Sequence, residues 1–331
     1  MDQIGRRRML HAGGAVVVAL VAAPFTAAAQ RSERINRIGY VIPQSHGERN
    51  EAFVQALRAL GYIEGRNLHI EMRFAEGRPE RLPNLVEDVI RTGIDVLVVG
   101  STIGARAAKN ATTTIPIVFA GSSDPVAAGI VTNLARPDGN LTGTSLALSD
   151  GFAAKYLQLL MEAAPGIRHF AALWNSSNPA AKRFATDLQG AGRTLATRVD
   201  LHHASNAGEL DAALAAIGGS GARGLIVTPS PFAVARQNTL IQFAATKGLP
   251  AIYFDESFPQ AGGLMAYGPS FVDAHRRAAT YVDRILKGAK PSDLPVEQPT
   301  KFSLIVNLRA ANSLGLKIPQ SILLRTDRVI E

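Results

Sequence analysis

The chain has 331 residues, 47% hydrophobic and 19% charged, with 7 histidines, no cysteine and a formal net charge of +8 at pH 7. That apolar content suffices for more than one core and excludes intrinsic disorder, and the lack of cysteine excludes disulfide stapling. The basic excess is modest and has no long run; Arg276-Arg277, Arg34 and Arg37 read as solvated charges rather than a nucleic-acid surface.

Residues 1–29 read as an export leader. Arg6-Arg7-Arg8-Met9-Leu10-His11 precede an apolar run from Ala12 to about Ala23, Pro24 breaks it, and Ala27-Ala28-Ala29 offer the small residues a signal peptidase needs. The run is too short to span a bilayer. The arginine pair followed by Met9 and Leu10 matches a twin-arginine signal, with a general secretory leader as the alternative. Losing the leader removes three arginines and one aspartate, which brings the charge from +8 to +6. Without cysteine there is no N-terminal lipid anchor, so the expected product is a soluble, freely diffusing periplasmic protein.

In chain order, Ile38–Ile42 reads as a strand, Glu48–Leu60 as a helix stopped by Gly61, Leu68–Phe74 as a strand, and Arg81–Arg91 as a helix with Pro83 in its first turn. Val96–Gly100 and Ile115–Phe119 are apolar strands around a helical run. Asp124-Pro125 is expected to open another helix, and Leu141–Ser145 is a strand before a hinge near Ser145 to Ser149. Then come helix Phe152–Glu162, strand Phe170–Trp174, helix Ala180–Leu195, strand Arg198–His202 and helix Glu209–Ile217. Strands at Leu225–Thr228, Leu249–Phe254 and Leu264–Tyr267 follow, then helix Phe271–Leu286, a proline-punctuated linker from Pro291 to Pro299, and a late strand from Lys301 to Asn307.

One pattern is written twice. Val96–Gly100, Ser101-Thr102, a helix, Ile115–Phe119 and Ser122-Ser123-Asp124 form the first copy; Leu225–Thr228, Pro229-Ser230, a helix, Leu249–Phe254 and Asp255-Glu256-Ser257 form the second. Short Val- and Ile-rich strands between helices are the mark of parallel sheets covered on both faces. The expected fold class is therefore α/β, with two doubly wound, Rossmann-like lobes joined by a hinge.

Ligands of such sheets bind outside the strand C-termini. The candidate ligand-binding residues are Gln44, Ser101, Thr102, Ser122, Ser123, Asp124, Ser145, Asn175, Thr228, Asp255, Glu256 and Tyr267. For a zwitterion, Ser101-Thr102 and Ser122-Ser123 with helix N-termini would serve the carboxylate, and Asp255 would accept from the ammonium; helix capping is the equal alternative for Ser101, Ser122 and Asp255. Tyr40, Phe119, Tyr253 and Tyr267 are candidates for apolar contact, with core packing the preferred reading for the first three and an equal alternative for Tyr267.

Gly61-Tyr-Ile-Glu-Gly-Arg-Asn67, Ala75-Glu-Gly-Arg78, Thr113-Thr-Ile-Pro-Ile-Val-Phe119, Asp124-Pro125, Arg136-Pro-Asp-Gly-Asn-Leu-Thr-Gly143 and Leu294-Pro-Val-Glu-Gln-Pro-Thr-Lys-Phe302 together resemble the ABC transporter substrate-binding family, in register from about Ile38 to Ile330. Trp174 departs from the small aliphatic residue that the family more often carries there. The resemblance implies a type I periplasmic-binding-protein fold with three crossings between lobes. One lobe would comprise 30–147 plus 268–290 and the other 148–267 plus 291–331. It also implies an importer's solute receptor, with relatives that bind tryptophan or tyrosine and membrane permease subunits as partners.

Other motifs fail on context. Gly219-Ser-Gly-Ala-Arg-Gly224 spells a dinucleotide fingerprint but follows a helix and precedes a strand, the reverse of what a pyrophosphate needs. His202 and His203 are strand neighbours facing opposite sides, which prevents a shared metal. Asp255-Glu256 as an acid–base pair is the weaker reading beside ligand binding. The expectation is a non-catalytic, monomeric solute receptor of an importer, with no cofactor, metal or nucleic-acid partner. A ligand-sensing subunit for a membrane signalling partner is the alternative, ahead of an exported two-lobed enzyme.

Overall fold

A computed structural model describes residues 35–148 and 151–331. The leader lies outside the described residues, as does Ser149 at the end of the expected hinge. No helix among the described residues is long and apolar enough to cross a membrane.

The first half alternates strand and helix: β1 (Asn36–Ile42), α1 (Glu48–Ala59), β2 (Leu68–Phe74), α2 (Leu82–Arg91), β3 (Val96–Gly100), α3 (Ser101–Ala111), β4 (Ile117–Ser122) and β5 (Leu141–Ser145). These strands form one parallel sheet in the order β2-β1-β3-β4-β5. Every residue of β3 is buried, because helices cover both faces. Phe53 and Leu57 of α1 pack on one face, while Val86 and Val89 of α2 and Ala105 and Ala108 of α3 pack on the other.

The second half contains α4 (Phe152–Ala163), β6 (His169–Trp174), α5 (Pro179–Thr194), β7 (Arg198–His203), α6 (Ala207–Gly219), β8 (Gly224–Val227), α7 (Pro231–Ala235), α8 (Gln237–Thr246), β9 (Ala251–Tyr253), α9 (Ser257–Gln260) and β10 (Met265–Pro269). After α10 (Phe271–Leu286) come β11 (Phe302–Asn307), α11 (Leu308–Ser313), α12 (Gln320–Leu323) and β12 (Arg328–Ile330). The second sheet runs β12-β11-β10-β9-β8-β6-β7. Read from the β7 edge, its first five strands repeat the order of the first sheet, so the duplicated sequence pattern is a duplicated topology. The sheet is not wholly parallel: β11 runs antiparallel to β10, since the chain re-enters it beyond the edge that a βαβ crossover would reach.

The chain passes between the sheets after β5, after β10, and between Glu297 and β11. These connections lie side by side: Ser145 N–H donates to the Glu297 carbonyl and Glu297 N–H to the Gly143 carbonyl. Helix α10 packs on α1, β4 and β5 of the first sheet, with Ala278, Ala279 and Val282 in its core.

One expectation is corrected. Asp124-Pro125 opens no helix: Asp124 Oδ1 accepts the Ala127 N–H at 2.9 Å, but Gly129 takes a φ of +66° and ends the structure after a single turn. The segment after Asn307 carries two short helices and an edge strand that no strong periodicity signals, because each is only 3 to 6 residues long.

Candidate functional site

In both sheets the strand order reverses beside the first strand, between β1 and β3 and between β6 and β8. A crevice opens at such a switch point because the flanking helices leave toward opposite faces. Here the two crevices face each other. Gln44 after β1, Ser101 after β3, Asn178 after β6 and Ser230 after β8 all line one cavity.

The first lobe contributes the β3–α3 junction. Ser101 sits at a φ of +67°, a left-handed conformation that strains a non-glycine residue by about 1–3 kcal/mol and is typical of ligand clamps. Its Oγ accepts the Gly104 N–H at 3.3 Å and so caps α3. Thr102 Oγ1 accepts the Ser123 N–H at 3.0 Å and lies 3.1 Å from Ser122 Oγ, tying this junction to the end of β4. A register shift between Ala120 and Ser122, with Gly121 at a φ of +75°, forms a bulge that turns Ser123 toward the cavity while Ser122 is fully buried. Asp124 caps its own turn instead of lining the cavity.

In the second lobe, Asn175 is buried and works behind the wall. Its Nδ2 donates to Ser230 Oγ at 3.1 Å, and its Oδ1 accepts from Ser177 N–H and Oγ at 2.9 and 2.6 Å. Thr228 is buried one step beneath Ser230, with no hydrogen-bond partner for Oγ1 among the described residues. Of the four candidate aromatics, none lines the cavity, in line with core packing. Tyr40 stacks on Phe53 and Tyr253 on Phe258, Phe119 is core, and Tyr267 belongs to a cluster with Phe152, Tyr156 and Phe302. The aromatic wall is Phe254 and Phe271. Alternation explains the shift, since Phe254 points to the face opposite Tyr253.

Asp255 is 3% exposed and forms an ion pair with Arg49, the second residue of α1. Its Oδ1 also accepts the Ser257 N–H at 3.0 Å. The Arg49 guanidinium lies 4.4 Å from the centre of the Phe271 ring, within cation–π range. Asp255 is thus not an open acceptor for a ligand ammonium, because a cation of the other lobe already occupies it. The pair divides the cleft. On one side the inner compartment leaves about 30 Å³, room for water-sized groups; on the other an outer compartment of about 330 Å³ runs past Gln44, His46, Asn50, Gln237 and Glu256. Burial, with the neighbouring Asp255 and Glu48 charges, raises the Glu256 carboxyl above its ordinary range. Ser145 lies elsewhere, in a 120 Å³ hollow beside the inter-sheet connections, where its Oγ accepts the Ala147 N–H at 3.0 Å.

Beneath the inner compartment, Tyr40 Oη lies 2.7 Å from His275 Nδ1. Burial, and secondarily the Arg49 charge, depress the His275 pKa to about 3. Arg49 and His275 escaped the sequence reading, though each carries a signal. Arg49 is a cation in the first turn of a helix, where the dipole disfavours it, and His275 is a polar residue on the apolar stripe of α10.

A family model described as ABC transporter substrate binding protein matches residues 35–330. A tyrosine-binding protein of Clostridioides difficile is 26% identical over 268 residues, covering 81% of this chain and 76% of that protein. Among solved structures, a conserved domain protein from Vibrio cholerae superposes with a TM-score of 0.83 at 25% identity, covering 89% of this chain and 100% of that one. An ABC domain from Streptococcus pneumonia in complex with L-Trp gives 0.81 at 22%, covering 89% and 99%. The ligand-free, open structure of a substrate-binding protein with adhesive properties from Clostridium difficile gives 0.64 at 24%, also covering 89% and 99%.

Proposed function

Because the chain belongs to the ABC transporter substrate-binding protein family, we propose that it is the periplasmic receptor of an importer, binding a small polar solute between its lobes and delivering it to membrane permease subunits. The observation that carries this reading is the convergence of four strand-end loops, two from each switch point, on one cavity. Hydroxyls, a helix N-terminus and an imidazole line that cavity beside two phenylalanines, a set suited to the polar end of a molecule whose apolar body extends into the outer compartment of about 330 Å³. An amino acid fits this description, and the relatives named for tyrosine or complexed with L-Trp support that solute class.

Delivery requires the receptor to change shape with its solute. We place the lobes at 30–147 plus 268–290 and 148–267 plus 291–331, turning about the three side-by-side connections. Screening amino acids by thermal shift is expected to find a solute that, at about 100 times its Kd, adds roughly 2.7 kcal/mol of stability. In small-angle scattering the free protein should have the larger radius of gyration. A radius unchanged by a solute whose binding is independently confirmed argues against hinge closure.

We further propose that residues 1–29 direct twin-arginine export. Replacing Arg6 and Arg7 with lysine keeps the charge but removes the guanidinium pair such a receptor reads. Fractionation should then find the protein retained inside the cell; undiminished export assigns the general secretory route.

A further inference from the structure

The stripe that α10 turns toward the first core consists of Ala278, Ala279, Val282 and Ile285, with His275 at its upstream end, 2% exposed. A leucine would fill that space without the cost of burying an imidazole. Among the described residues, only one of the ring's nitrogens has a partner. Nδ1 faces Tyr40 Oη at 2.7 Å, and the described residues offer Nε2 no partner. His275 lines the inner compartment, and Nε2 is the polar atom its ring has to offer there.

The tautomer follows from hydrogen-bond accounting. Tyr40 is fully buried, and His275 is its hydroxyl's one partner among the described residues. If Nδ1–H donated to Oη, the hydroxyl proton would be left without an acceptor in the core, a loss of about 1–3 kcal/mol. If Oη donates to Nδ1, both atoms are satisfied, and the single proton of the neutral ring resides on Nε2.

We propose that His275 is a ligand-recognising residue of the cleft, whose Nε2–H donates to an acceptor oxygen, carboxylate or carbonyl, on the end of the solute that enters the inner compartment. Tyr40 is the positioning residue that holds the ring in this tautomer. The donor shares the compartment with Ser101 and the N-terminus of α3, whose free N–H groups favour the same oxygen. An ammonium presented at this point would face the Nε2–H, the positive end of α3 and the Arg49 guanidinium, so the arrangement also favours entry of a zwitterion carboxylate first. This assignment rests on the amino-acid reading of the cleft.

The test has two arms. Long-range proton–nitrogen NMR of the purified protein, labelled at histidine, should show His275 as the Nε2–H tautomer, with a mixture of tautomers in Tyr40→Phe. A dominant Nδ1–H form in the wild type overturns the proposal. Calorimetry with L-tyrosine and L-tryptophan as probes should show His275→Leu binding about 10- to 100-fold more weakly than wild type. His275→Gln, whose amide N–H reaches a position near Nε2, should recover to within a few-fold, with circular dichroism and thermal melting establishing that both variants fold. Unweakened binding by a folded His275→Leu overturns the assignment while leaving the receptor reading standing. Failure of the wild type to bind either amino acid refutes the amino-acid reading and this inference with it.

Discussion

Arg49→Met is expected to destabilise the protein by about 3–5 kcal/mol in urea unfolding at neutral pH, the usual result of removing one partner from a buried ion pair. The Asp255 carboxylate, 3% exposed, would retain only the Ser257 N–H. Methionine keeps the length of the side chain but also removes the cation–π contact with Phe271, so the loss combines that contact, about 0.5–2 kcal/mol, with the orphaned charge. Adding Asp255→Asn should restore much of it, because the amide removes that charge and its oxygen still accepts the Ser257 N–H. A double-mutant cycle over wild type, both single variants and the double variant isolates the coupling. Additive effects, or a cost below about 1 kcal/mol for Arg49→Met, would reduce the pair to the weight of a surface ion pair. The pair joins α1 of one lobe to the end of β9 of the other. Its loss should therefore also ease opening, which scattering would register as a larger radius in the unliganded Arg49→Met protein.

The second large effect is an acid-labile stability centred on His275. The ring's ordinary pKa of 6.5 is depressed to about 3 in the folded protein by burial and by the Arg49 charge. Between those values the unfolded chain binds a proton that the folded chain does not. The contribution is therefore fully present above pH 6.5 and is lost as the pH falls toward 3. The slope is about 1.4 kcal/mol per pH unit, or close to 5 kcal/mol over the whole window. In His275→Gln no proton is taken up at this position. The variant should start less stable than wild type at pH 7, with Tyr40 short of its partner, and lose stability more slowly on acidification. From pH 6.5 to 4.5 the gap between the two should narrow by about 2 kcal/mol. Parallel stability curves over that range would mean that His275 protonates in the folded protein much as it does in water.

Local pattern alone was enough to determine the α/β class, the two-lobed duplication and most element boundaries. Val96–Gly100 and Leu225–Val227 are apolar without alternation, so they had to be strands covered on both faces. The polar residues that follow them then had to lie at the C-terminal edges of the sheets. Gln44, Ser101, Thr102 and Ser123 could be named for this reason, and the cavity contains them. Which neighbour of each pair faces the cavity was not legible. Ser122 and Ser123 are separated by a bulge whose position depends on pairing with β5, and Phe254 replaces Tyr253 through the pleat of β9. The electrostatics of the cleft were decided by tertiary structure. Arg49 and Asp255 are 206 positions apart, and Tyr40 and His275 are 235 apart. Such pairs arise because α10 crosses back onto the first sheet and the two switch points face one another. A window of sequence encodes hydrophobic period, caps and turns, which act over a few residues. The burial that turns an arginine into an inter-lobe bridge, and a histidine into a neutral donor, comes from chain segments that no local window contains.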